Sequence, residues 1–188
     1  MICIVDCGTM YIRQIRRHMT ELGRSTRVVK LKELKDCDFS SFSGIIISGA
    51  PTFLTEVNQK EYLAPFRFVK KADVPVLGIC LGHQVIGLLH GAMIHRGGEV
   101  ITKENVELLE KDALFDGLGS NSLFHEEHSE SISLPKGFLL LAKSGSCDNE
   151  AMKHEEKDIY GVQFHPEMSG KPGRIILKNF VKLCGMPK

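Results

Sequence analysis

Hydrophobic positions along the chain form short unbroken runs, separated by stretches in which they recur every third or fourth residue. Met1 to Val5 is an apolar run that reads as a strand. From Met10 to Gly23 the apolar residues Ile12, Ile15, Met19 and Leu22 keep helical spacing up to a glycine stop. Thr26 to Leu31 and Gly44 to Ser48 are the next two strands, the second bounded by Gly49-Ala50-Pro51. A helix carrying Phe66, Val69 and Lys70 follows Pro65, and a strand resumes at Val76. Runs of β-branched residues without a polar face imply strands covered on both sides, so this half predicts a parallel sheet flanked by helices. Ligands of such folds bind beyond the carboxyl ends of the strands. Cys80 and Gly49-Ala50-Pro51 both fall there.

The second half changes character. Ala92 to Glu110 alternates apolar and polar residues, and Phe138 to Ala142, Glu150 to His154 and Ile159 to Phe164 read as further strands. Ile175, Ile176, Phe180 and Val181 predict a closing amphipathic helix that ends near Gly185. The expected architecture is one α/β domain over residues 1–188, with a mainly parallel central sheet, flanking helices and a smaller β-rich second half.

With 188 residues, 43% hydrophobic and 25% charged, the chain is the size of one globular domain. A formal net charge of +1 gives no electrostatic case for nucleic acid or an anionic membrane. No apolar run approaches the roughly 20 residues that span a bilayer, so a cytoplasmic location is expected. Six cysteines, at 3, 7, 37, 80, 147 and 184, lack paired C-x-x-C spacing, which predicts reduced thiols rather than disulfides or a zinc site.

The chemistry concentrates in two stretches. Gly78-Ile-Cys80-Leu-Gly82 joins a strand to a helix and is the thiol counterpart of the Gly-x-Ser-x-Gly elbow, whose glycines permit a strained turn that lifts the nucleophile. There the helix dipole favours the thiolate of Cys80, and the Leu81 N–H points towards an oxyanion. Gly161-Val-Gln-Phe-His165-Pro-Glu167 delivers a histidine at a strand end, with a glutamate two residues on, the separation that puts side chains on one side of an extended chain. His165 is thus a candidate base for Cys80, and Glu167 a candidate to orient it. Read singly, Cys80 is equally a buried core thiol, and His165 and Glu167 a structural strand end; spacing alone does not bring the thiol to the imidazole. His125-Glu-Glu-His128 lacks the H-E-x-x-H metal spacing and reads as a loop, so no metal is assigned.

Taken together, Gly78-Ile-Cys-Leu-Gly-His-Gln84 and Gly161-Val-Gln-Phe-His-Pro-Glu167 resemble the class I glutamine amidotransferase family, and the likeness runs from Met1 to about Gly185. Within it the chain is most similar to the separate glutaminase subunits that serve GMP synthesis in archaea, through Gly44-Ile-Ile-Ile-Ser-Gly49, Glu150-Ala-Met-Lys-His154 and Ile176-Leu-Lys-Asn-Phe180. The resemblance implies a Cys80-His165-Glu167 triad that hydrolyses glutamine to glutamate through a thioester. Ammonia would pass to a separate ATP-pyrophosphatase-type synthetase, which would hold the ATP and magnesium; no cofactor is implied on this chain. It further implies an oxyanion hole from the Ala50 and Leu81 N–H groups, and glutamine binding by Gly49, Gln84 and the segment containing Glu127, Ser129 and Glu130. Two departures stand out: Ala50 occupies a position usually filled by glycine, and Glu127-His-Ser-Glu130 replaces Ser-His-x-Asp. Two other readings remain open, a glutaminase for anthranilate, aminodeoxychorismate or carbamoyl-phosphate synthesis, and a catalytically silent regulatory module.

Overall fold

The computed structural model describes residues 1–185; the last three positions of the expected 1–188 domain lie outside the described residues. β1 (Ile2–Asp6), β2 (Thr26–Lys30), β3 (Gly44–Ile47), β4 (Val76–Ile79) and β9 (Ile159–Val162) lie parallel in the order β2-β1-β3-β4-β9. β8 (Ala151–His154), β7 (Phe138–Lys143), β5 (Ile94–Leu108) and β6 (Asn121–Ile132) extend the same nine-stranded sheet through antiparallel pairings. The expected mainly parallel centre with a β-rich second half is therefore one continuous sheet. No helix among the described residues is long and apolar enough to cross a membrane.

The β-branched runs are buried on both sides, and their alternation decides which helix each residue meets. Ile2, Ile4, Ile46, Leu77 and Ile79 face one core with Ile15 and Met19 of α1 (Ile12–Glu21) and Ile176, Leu177 and Phe180 of α4 (Gly170–Leu183). Cys3, Val5, Ile45, Ile47 and Val76 face the other, against Val85 and Ile86 of α3 (Leu81–Leu89). The helix expected after Pro65 is a 3-10 segment, Ala64–Lys71, preceded by the short α2 (Gln59–Leu63). Phe66 and Val69 still fill the core as the spacing predicts, because residues three apart share a face in either helix type.

The segment read as a loop around His125 is instead the middle of β6, paired with β5 from Ile94↔Ile132 to Glu107↔Asn121. Its hydrophobic alternation is broken because Glu126 and Glu130 occupy buried positions beside Phe124 and Ile132. A strand that buries carboxylates carries no readable period-2 signal.

Candidate active site

β3, β4 and β9 are parallel neighbours, so the three segments leaving their carboxyl ends emerge side by side. They carry Gly49 and Ala50, then Cys80, then His165. Cys80 sits at the N-cap of α3 with φ 49° and ψ −107°, and is the one non-glycine residue with positive φ among those described. Such backbone costs about 1–3 kcal/mol and persists only when its surroundings impose it. Two close approaches do so here. A Cβ on Gly78 would lie 2.4 Å from the Gly82 carbonyl oxygen, and one on Gly82 only 2.2 Å from that of Ile47. The Cys80 N–H donates to Val162 O at 2.8 Å, tying the elbow to β9, and Gln84 N donates to Cys80 O at 3.1 Å, opening α3.

His165 is held from both sides. Its N–H donates to His125 O (2.8 Å), and its carbonyl accepts from the Ser169 hydroxyl (2.6 Å). The ring packs edge-on to Tyr11 at 5.4 Å. Its Nδ1 lies 2.9 Å from Glu167 Oε1. The expectation that this pair meets by strand alternation is corrected: Pro166 opens a 3-10 turn, Pro166–Met168, and Glu167 turns back to the ring from within it. Burial alone would push the His165 imidazole down, but the Glu167 carboxylate and the Cys80 sulfur outweigh it and hold the group well above its usual value.

Gly49 joins the two side chains. A Cβ there would stand 3.5 Å from Cys80 Cβ and 3.1 Å from His165 Cε1, so thiol and imidazole flank one point of backbone. Gly49 is thus wedged beneath the pair rather than lining the cleft. In this state the thiol donates to Glu127 O at 3.6 Å. Cys80, Leu81, Ala50, Gln84 and His165 all line a cleft of about 180 Å³. That is below the roughly 300–1,000 Å³ of sites for drug-sized ligands and cofactors, and suits an amino acid.

Among the other expected binding residues, Glu127, Ser129 and Glu130 also line the cleft, yet their side chains are differently engaged. The Glu130 carboxylate accepts from Leu54 N (2.7 Å), Thr55 N (3.0 Å) and the Thr55 hydroxyl, so it fastens the loop after β3. The Gln84 amide donates to Glu130 O (2.9 Å) and Gln163 Oε1 (3.1 Å), bracing the cleft floor. Ala50, where glycine is usual, has no left-handed backbone, so its Cβ carries no conformational strain. Tyr11 was not anticipated. Its hydroxyl donates to Glu127 Oε2, and this bond together with burial pushes the phenol up to about 12. No motif marks it, because the segment before α1 becomes part of the cleft only through the β1–β3–β4–β9 order. His83 of α3 is fully buried, and desolvation pushes it down to about 3.

An elbow thiol facing an imidazole–carboxylate pair, with backbone N–H groups beside it, is an arrangement suited to thiol-dependent acyl transfer on an α/β sheet. A family model described as glutamine amidotransferase class-I matches residues 3–184. The chain belongs to that family. A subunit of GMP synthase (glutamine-hydrolyzing) from Pyrococcus abyssi is 40% identical to it over 189 positions, covering 98% of this chain and 99% of that protein. The corresponding GMP synthase subunit of Methanopyrus kandleri is 34% identical over the same shares. A crystal structure of a candidate GMP synthase subunit from Thermoplasma acidophilum superposes with a TM-score of 0.88 at 30% identity, over 97% of this chain and 92% of that one. A glutamine amidotransferase from Thermotoga maritima, 18% identical with a TM-score of 0.75, covers 97% of this chain and 95% of its own and shows the same fold.

Proposed function

We propose that this chain is the glutaminase subunit of a two-subunit GMP synthase, hydrolysing glutamine and supplying ammonia to a separate synthetase that converts XMP to GMP. The observation that carries the chemistry is the strained Cys80 elbow flanking the same backbone point as His165. The choice of pathway rests on relatives 33–40% identical over nearly the whole chain that are named as subunits of glutamine-hydrolyzing GMP synthase.

His165 takes the proton of the Cys80 thiol, and the resulting thiolate, paired with the imidazolium, attacks the glutamine carboxamide carbon. The carbonyl electron pair moves to oxygen, where the Leu81 and Ala50 N–H groups meet the negative charge. His165 then gives its proton to the departing nitrogen, the C–N bond breaks, and ammonia leaves a glutamyl thioester on Cys80. Water, giving its proton to His165, adds to the thioester; glutamate departs and the thiolate–imidazolium pair is restored. Glu167 touches no substrate and stabilises the imidazolium through Nδ1. ATP and magnesium belong to the synthetase in this scheme, and the two chains form a heterodimer in the cytoplasm. Six unpaired cysteines agree with a reducing compartment.

The test is glutamate release and GMP formation by the chain with and without an archaeal synthetase subunit, ATP and XMP. Glutaminase activity should be low alone and rise in the complex. Cys80→Ala should abolish GMP formation from glutamine and leave formation from added ammonia intact. Full-rate glutamine hydrolysis by Cys80→Ala would overturn the chemistry, and failure to support GMP synthesis while serving another ammonia-using synthetase would overturn the pathway.

A further inference from the structure

The face of β6 turned away from Tyr11 carries a cluster that the glutaminase reading does not use. Alternation along the strand sends His125 and Glu127 to one side and Glu126 and His128 to the other, so the two histidines three apart do not form a pair. Glu126 and Glu150 are fully buried and the His128 side chain is 4% exposed. Glu126 Oε2 lies 3.6 Å from His128 Nε2, and one donor atom from each of the three residues lies within 4.8 Å of the others. Glu150 arrives from the segment just before β8, with its Oε1 accepting from the Ser144 hydroxyl at 2.7 Å.

Four buried side-chain atoms of these three residues have no hydrogen-bond partner: both oxygens of Glu126, Oε2 of Glu150 and Nε2 of His128. A buried polar atom left unpaired costs about 1–3 kcal/mol, and more when charged, so four of them in one place call for a common partner. Protons alone serve all four only if one is shared between Glu126 and Glu150 and the 3.6 Å gap from His128 Nε2 to Glu126 Oε2 also closes to a hydrogen bond. A divalent cation matches both carboxylates in charge and accepts the imidazole lone pair as well. Donors at about 2.0–2.2 Å from a zinc-like ion stand at most about 4.4 Å apart, so small side-chain rotations close the 4.8 Å envelope. One imidazole with two carboxylates suits zinc, manganese or ferrous iron better than calcium or magnesium.

We propose that Glu126, His128 and Glu150 bind one divalent transition-metal cation behind the wall of the glutamine cleft. His128 also lines that cleft, so the ion enters from the substrate side and pins the middle of β6. This departs from the absence of metal expected from linear spacing, because Glu150 and the strand alternation are invisible in the His125–His128 motif.

The experiment uses the full chain carrying Cys80→Ala, which removes the Cys80–His165 pair as a competing zinc site. After chelator treatment, equilibrium dialysis against Zn²⁺ alone should load one ion per chain at micromolar concentration. Glu126→Gln and Glu150→Gln should each weaken uptake about 100-fold or more, with melting curves confirming that the variants fold. Should either variant fail to fold, Co²⁺ bound to the Cys80→Ala chain should still show ligand-field bands without a sulfur-to-metal charge-transfer band. No stoichiometric uptake, uptake unchanged in both folded glutamine variants, or a thiolate spectrum would overturn the site. Each of these outcomes leaves the Cys80 chemistry untouched, so the two readings fail separately.

Discussion

Replacing Gly82 by alanine tests whether the elbow is imposed by backbone packing. The added Cβ would lie 2.2 Å from the Ile47 carbonyl oxygen and 2.9 Å from its carbon, where ordinary contact begins at 3.4 Å. The obstacle is the end of β3, not a side chain that can rotate away. Relief requires about an ångström of separation between α3 and β3, and Cys80 and Ala50 ride on those two elements. Forced overpacking of this kind costs about 1–3 kcal/mol, which lowers Tm by about 4–8 °C for a loss of about 2 kcal/mol in a domain of this size. A displacement of about 1 Å at the reacting atoms costs on the order of 100-fold in rate. Thermal melting and glutamate release in the complex measure both effects. Gly97→Ala is the control, since a Cβ there meets nothing within 4 Å and its backbone is not left-handed. Gly82→Ala with control-like melting and turnover would refute the claim that this contact holds the thiol in place.

Glu167→Gln removes the anion that, with Cys80, outweighs burial at His165. A raised pKa means that the imidazolium stabilises the fold fully at pH below the unfolded value, and that this is lost as pH rises through the folded value. The variant should therefore move the alkaline limb of kcat/KM to lower pH and cut turnover near neutrality by about 100-fold or more; an unmoved limb would remove Glu167 from its role. Tyr11→Phe loses the donor to Glu127 Oε2 and keeps the ring against His165, so KM should rise about 3–10-fold, the value of one such bond, with kcat little changed. Glu130→Ala strips the acceptor from Leu54 N, Thr55 N and the Thr55 hydroxyl. Hydrogen exchange at those two amides should accelerate and stability fall by about 2–3 kcal/mol; protected amides in the variant would show that the loop is held by something else.

The parallel half of the sheet was legible because Ile2 to Val5, Gly44 to Ile47 and Val76 to Ile79 are continuous apolar runs, a pattern that only a doubly covered strand accommodates. The elbow was legible because its glycines stand where a Cβ would strike backbone. β6 was not, since its buried positions include Glu126 and Glu130, and burial of acid contradicts every periodicity rule. The roles of Tyr11 and Glu150 were hidden for a different reason: each depends on contact between segments more than a hundred, or more than twenty, residues apart. The comparison of Glu127-His-Ser-Glu130 with Ser-His-x-Asp also hides that, in space, the Glu127 backbone carbonyl and carboxylate serve Cys80 and Tyr11 separately.

β9 is the last strand among the described residues and yet lies between β4 and β8, joining the parallel and antiparallel parts of the sheet. The same insertion that completes the sheet brings His165 to a thiol synthesised half a chain earlier. A nascent or C-terminally truncated chain therefore displays the cysteine without its proton acceptor, and maturation of the reactive centre coincides with closure of the β architecture. The register Gly78↔Gly161 sets the relative height of the two groups. Length changes in the surface turn before β9 should consequently be absorbed silently, while a single inserted residue between Val162 and His165 should silence the enzyme in an otherwise folded protein.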